Sequence, residues 1–169
     1  MTVSMYAASV PVFKQILGGL SVVLTKAEAM ATDKKIDPTA LLQARLYPDM
    51  FALPRQVQIA ADFAKGVSAR LAGVEVPAYE DNETSFADLQ ARIAKTLGFI
   101  STLDPALFNG CETRSVVIQA GTPREKTFLG ESYLLNYGLP QFFFHIAMSY
   151  AILRHNGAEI GKKDYIGSF

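Results

Sequence analysis

Apolar residues return every three or four positions along four long segments of the chain, the period of a helix that buries one face. In the first, over 10–31, Val12, Ile16, Leu20, Val23, Ala27 and Met30 share a face, widened by Phe13, Leu17 and Leu24. Ser9 is placed to cap this helix, and Pro11 falls in its first turn, where proline is tolerated. Residues 2–8 read as a short preceding turn. The second stripe is Val57, Ala61, Ala64, Val67 and Leu71, in a helix opening between Asp49 and Pro54 and closing at Gly73. Its small residues let a neighbouring helix approach closely. The third is Phe86, Leu89, Ile93, Leu97 and Ile100, with Ser85 as cap, Asp88 three residues on, and Asp104-Pro105 closing it.

The fourth segment, 139–156, is separated near Gly138 from a preceding helical stretch and can end at Gly157. Leu139, Phe142, Ile146, Tyr150 and Leu153 form its main stripe, while Phe144, Met148 and Ala151 form a second row on the far side. A helix apolar almost all round is covered on several sides. Either the hairpin or a second copy of the chain is expected over that second row.

Proline and turn residues punctuate the rest. Asp37-Pro38 starts a short helix over 39–46, which Tyr47-Pro48 breaks, because the residue before proline avoids the α region. Residues 73–84 are polar. β-Branched Val116, Val117 and Ile118, with the turn signal AGTP, predict a hairpin over about 113–120 and 124–129. The tail after Gly157 reads as irregular. The expected fold is mainly α: an antiparallel four-helix bundle, residues 1–169 as one domain, with a small β-hairpin insertion before the last helix.

Composition narrows the function. Sixteen Lys+Arg balance sixteen Asp+Glu, so no basic surface marks nucleic acid or an anionic membrane as a partner. The start lacks the basic and apolar regions of a leader, and no apolar run approaches the ~20 residues of a membrane span. The lone cysteine, Cys111, excludes an intrachain disulfide. A cytoplasmic location is the expectation.

The chain has two histidines, His145 and His155, both on the fourth helix. Ten residues apart, they lie roughly 80° apart around the axis and about 15 Å along it. Zinc–nitrogen bonds of about 2.0–2.1 Å exclude a shared ion. His145 falls at the edge of the main stripe beside Ser149. His155, in the last turn before Asn156-Gly157, reads as a C-terminal helix cap.

The segments LPQFFFHIAMSYAILRHNG followed by IGKKDYIG, and ARLYPDMFALPRQVQIAADFAK over 44–65, resemble the signatures of a bacterial domain-of-unknown-function family, DUF1993. SMYAASVPVF and FADLQARIAKTL fit it too. That family is similar to the DinB/YfiT-like four-helix proteins, and the resemblance implies the same bundle, often dimeric. It also implies a site of three histidines, one from helix two and an HxxxH pair on helix four. His155 falls at the second position of that pair, but its partner position is Ala151 and helix two has no histidine. Metal and cofactor are therefore both expected to be none.

Tyr47, Asp49, His145, Ser149 and Tyr150 remain as a candidate pocket. The resemblance implies that the start of helix two faces helix four. Asp49 and His145 would then pair as carboxylate and imidazole, able to act as a general base. The plainer reading makes Asp49 the cap of helix two. Three functions stay open. One is a bundle that binds a small molecule between its helices. The second is a degenerate DinB-like enzyme of thiol or electrophile transfer using Asp49 and His145. The third is a structural dimerisation module without a ligand. A homodimer through the last helix is the expected assembly.

Overall fold

The computed structural model describes residues 3–168. Four long helices form the body: α1 (Val10–Asp33), α3 (Leu53–Ala72), α4 (Phe86–Ser101) and α6 (Leu139–His155). Short helices α2 (Pro38–Leu42), α5 (Gly130–Ser132) and α7 (Lys162–Ile166) join or follow them. Around the bundle the order is α1, α4, α3, α6, each packed on the next, with α6 closing on α1. Consecutive long helices α1 and α3 are thus diagonal, as are α4 and α6. The two longest connections in the chain make these two crossings.

The apolar stripes carry the core. Phe13, Leu17, Leu20 and Leu24 of α1 meet Leu53, Val57, Val67 and Leu71 of α3, Phe86, Leu89 and Ile93 of α4, and Phe142, Ile146 and Leu153 of α6 in one buried cluster. Phe13 and Phe142 touch edge to face, with centroids 4.8 Å apart. Burial of this kind contributes about 25 cal/mol per Å² of apolar surface. By length and composition alone α1 is apolar enough to cross a membrane, contrary to the expectation that no segment would be. Its apolar face lies inside the bundle.

Helix ends follow the local chemistry with exceptions. Ser85 and Asp88 form a full capping box at α4. Gly73 closes α3 at φ 73°, a left-handed conformation that glycine adopts without cost. Ser9 does not cap α1. Its hydroxyl donates to Met5 O at 2.6 Å and lies within reach of Tyr6 O, which ties down the preceding turn. Asp49 does not cap α3 either: the helix opens after Ala52, and Asp49 lies in an exposed turn closed by Met50 N donating to Tyr47 O. The short helix predicted over 39–46 stops at Leu42.

The hairpin pairs β1 (Ser115–Ile118) with β2 (Lys126–Leu129), antiparallel, Ser115 opposite Leu129. After α5, Tyr133–Gly138 wind as a π-helix before α6 starts. Pro140 supplies the cause. It has no N–H for the carbonyl four residues back, and its ring crowds that carbonyl, so the preceding turn widens. The tail is not irregular: α7 packs on α1, with Gln15 donating to Ile166 O and Lys26 bonded to Asp164. Lys162 and Lys163 face solvent.

Candidate functional site

The predicted pocket residues separate. Tyr47 is 65% exposed and Asp49 is exposed beside it. His145 and Ser149 are buried on the inner face of α6, and the Ser149 hydroxyl donates to the His145 carbonyl at 2.9 Å. Tyr150 meets Tyr165 edge to face, with its hydroxyl near Ile160 O. His155 is exposed in the last turn of α6, and it is the Asn156 amide that donates to Ile152 O at 2.8 Å.

His145 pairs with Gln56 rather than Asp49. Its Nδ1 lies 2.7 Å from Gln56 Oε1, while Gln56 Nε2 donates to Phe51 O at 3.2 Å. An amide oxygen only accepts, so Nδ1 carries the proton and Nε2 the lone pair. Phe63 stacks on the imidazole at 6.2 Å and Phe144 meets it edge-on at 5.2 Å. Burial, with nearby Arg55 adding to it, lowers the His145 pKa from its ordinary value, which favours the neutral ring. The donor set around it does not fit a divalent metal: it offers one imidazole, a glutamine amide and a hydroxyl turned back on its own helix. Among the described residues no three His, Cys, Asp or Glu side chains converge into a metal-binding group.

A concavity away from the predicted pocket residues lies further along α3. A cavity of about 390 Å³ opens over Phe63, Gly66 and Arg70, walled by Tyr79 of the loop after α3, by Gln119 at the end of β1, and by Tyr133 and Tyr137 of the π-turn. Its size falls within the range of small-molecule sites. The π-turn sets Tyr133 and Tyr137 in a stack, with centroids 5.9 Å apart and planes at 22°. Phe128 of β2 packs on both, and Phe63 meets Tyr137 at 5.7 Å. Gly138 lets the turn approach α3: a Cβ there would sit 2.7 Å from Val67 Cγ2. Gln119 takes a φ of 53°, uncommon for a residue with a side chain, at the rim.

Two arginines are tied to this cavity differently: Arg70 lines it, and Arg92 bonds Asp62 of its lining. Arg92 of α4, with its side chain 2% exposed, holds the wall from behind. It bonds Glu83 at 2.7 Å, Asp62 at 2.9 Å, Asp81 at 3.0 Å and Glu80 O at 3.0 Å. Burial alone would raise the Glu83 pKa, but hydrogen bonds from Arg92 and Gln58 outweigh it and lower it overall. Lys65 and Lys95 stand 3.8 and 4.2 Å from the Tyr79 ring centroid, which fixes the loop over α3. Arg70 has no carboxylate partner among the described residues; its Nη1 donates to the Tyr133 hydroxyl at 3.3 Å. Cys111 is buried, and that burial pushes its thiol above the ordinary range.

Sequence reasoning missed this cavity. Its signals were Tyr133 and Tyr137 just before Gly138-Leu139-Pro140, and Gly66 four residues before Arg70.

Comparison with known proteins places the chain in context. The family model of a domain of unknown function, DUF1993, matches residues 5–166. No curated protein matches. The crystal structure of a DinB family member from Shewanella denitrificans is similar at 40% sequence identity and a TM-score of 0.91. The match covers 98% of this chain and 93% of that one.

Proposed function

Because the chain belongs to the DUF1993 family and has the DinB-like helical fold, we propose that it is a small-molecule-binding bundle protein whose ligand occupies the cavity over α3. The observation that carries this reading is the cavity itself: stacked tyrosines and a phenylalanine around an arginine that has no carboxylate partner among the described residues. Aromatic walls with polar groups placed among them are a usual construction of a ligand site. A ligand that binds only the folded state raises its stability. A thermal-shift screen of small aromatic and amphipathic compounds should therefore yield stabilisers. Their amide-resonance shifts should centre on Gly66, Tyr79 and Gln119, and Tyr137→Ala should abolish the gain. Stabilisers whose shifts map elsewhere, or a screen with none, would remove the reading.

A second copy of the chain is the proposed cover for α6. Phe144 is 50% exposed, and Met148 and Ala151 are half-buried beside it. Phe128 packs on Tyr133 and Tyr137, and Val117 is exposed, so neither apolar hairpin residue covers the row. Two-fold packing buries such a row against itself. Light scattering should give a dimer, and Phe144→Asp/Met148→Asp a folded monomer. A wild-type monomer at micromolar concentration would end the proposal. The lone buried thiol suits a reducing cytoplasm, the compartment proposed here.

A further inference from the structure

We propose that the cavity over α3 selects an aromatic anion, its acidic group held between the Arg70 guanidinium and the Tyr133 hydroxyl. This rests on reading that cavity as the ligand site. A guanidinium only donates, so in the 3.3 Å contact the Tyr133 oxygen accepts from Arg70 Nη1. The phenol proton is then left to donate elsewhere, and both groups line the cavity. Burial raises the Tyr133 pKa, so the phenol stays a neutral donor near pH 7. The remaining guanidinium N–H groups and the phenol proton are then neighbouring donors, and such a set matches an oxyanion.

The carboxylate that lines the same cavity does not oppose this. Asp62 Oδ1 is held by Lys65 and by Arg92, each at 2.9 Å. It also lies eight residues before Arg70 on α3, about 12 Å along the axis. The stacked Tyr133–Tyr137 pair and Phe63 supply flat apolar walls for an aromatic body. Gly66 completes the seat. A Cβ there would come within 2.7 Å of Arg70 Nη1, so glycine lets the guanidinium lie close to the helix.

The test is calorimetric titration with 1-naphthoate and its neutral isostere 1-naphthamide. Wild type should bind the carboxylate at least tenfold tighter. Arg70→Met should bring the two affinities within about twofold, and Arg70→Lys should restore only part of the difference, because a point charge replaces the planar fork. Tyr133→Phe should weaken naphthoate several-fold and leave naphthamide unchanged. Equal affinity for both probes in the wild type would overturn the anion selectivity while leaving the cavity reading intact. Binding of neither probe, or binding indifferent to Arg70→Met and Tyr137→Ala together, would overturn the proposal. Each variant's thermal transition, measured alongside, verifies that it is folded.

Discussion

Arg70 lines the cavity and Arg92 bonds Asp62 of its lining, and the surroundings of the two arginines differ in kind. Arg92 is closed off: three carboxylates and a carbonyl take its terminal nitrogens, and the loop that carries Tyr79 is fastened to α4 through them. Arg70 has a phenol and, among the described residues, no carboxylate. A folded chain keeps a buried cation by surrounding it with counter-charge, because an unpaired buried charge is expensive. A cation kept beside a cavity without that counter-charge is available to something from outside. The arginine neutralised by carboxylates belongs to the scaffold, and the one without such a partner among the described residues belongs to the site.

The largest effect that can break this contrast is at Arg92. Arg92→Met leaves Glu83, itself largely buried, without its cation, although Gln58 still donates to it at 2.8 Å. Removing one partner of a buried ion pair costs about 3 kcal/mol or more. For a chain of this size that lowers Tm by roughly 6–12 °C. Denaturant titration and a thermal scan measure it, and limited proteolysis should cut the loop over 74–84 sooner. A loss below about 1 kcal/mol would make Arg92 no more a scaffold than Arg70.

A smaller, pH-gated effect is expected at His145. Its folded-state pKa lies below the unfolded value of about 6.5, so the unfolded chain binds the extra proton first. Its contribution is whole above pH 6.5 and is lost as pH falls below that toward the depressed value. His145→Asn keeps an N–H toward Gln56 Oε1 and removes the titration. Its stability should fall less steeply than the wild type's between pH 6.5 and 5. Parallel curves would mean that the imidazole is solvated rather than buried between Phe63 and Phe144.

Gly66→Ala should raise stability by up to about 1 kcal/mol, the helix-interior difference between the two residues. The displaced Arg70 head sets this against the lost contact to Tyr133. Naphthoate affinity should fall in the same variant. A change of opposite sign in stability and binding would separate the seat of Arg70 from the integrity of the helix.

Much of the fold was legible because burial imposes a period. Val57, Ala61, Ala64, Val67 and Leu71 recur at helical spacing, and every one is fully buried. The site was harder to read, because its parts are brought together by connections rather than by periodicity. Arg70 and Tyr133 are 63 residues apart and meet only through the widened turn ahead of Pro140. The pairing expected between Asp49 and His145 failed over a few residues. Helix α3 opens after Ala52, which leaves Asp49 in a solvent turn and brings Gln56, one helical turn in, against the imidazole. Sequence identified the histidine and the helix facing it, but not the register between them.

The smallest expected effect tests the contrast most directly. Arg70 is half-buried, and the loss on Arg70→Met is one hydrogen bond from its Nη1 to the Tyr133 hydroxyl. Methionine keeps the straight apolar stem that lies along α3, and its helix propensity matches that of arginine. No carboxylate is orphaned, so the penalty expected at Arg92 does not arise. The Tyr133 hydroxyl loses its donor but keeps its own proton. Stability should therefore stay within about 0.5 kcal/mol of wild type, the usual range for substitutions away from a saturated network. The same denaturant titration used for Arg92→Met reads both on one scale. A loss at Arg70 comparable to that at Arg92 would reveal a structural cation, and the distinction between scaffold and site would fall with it.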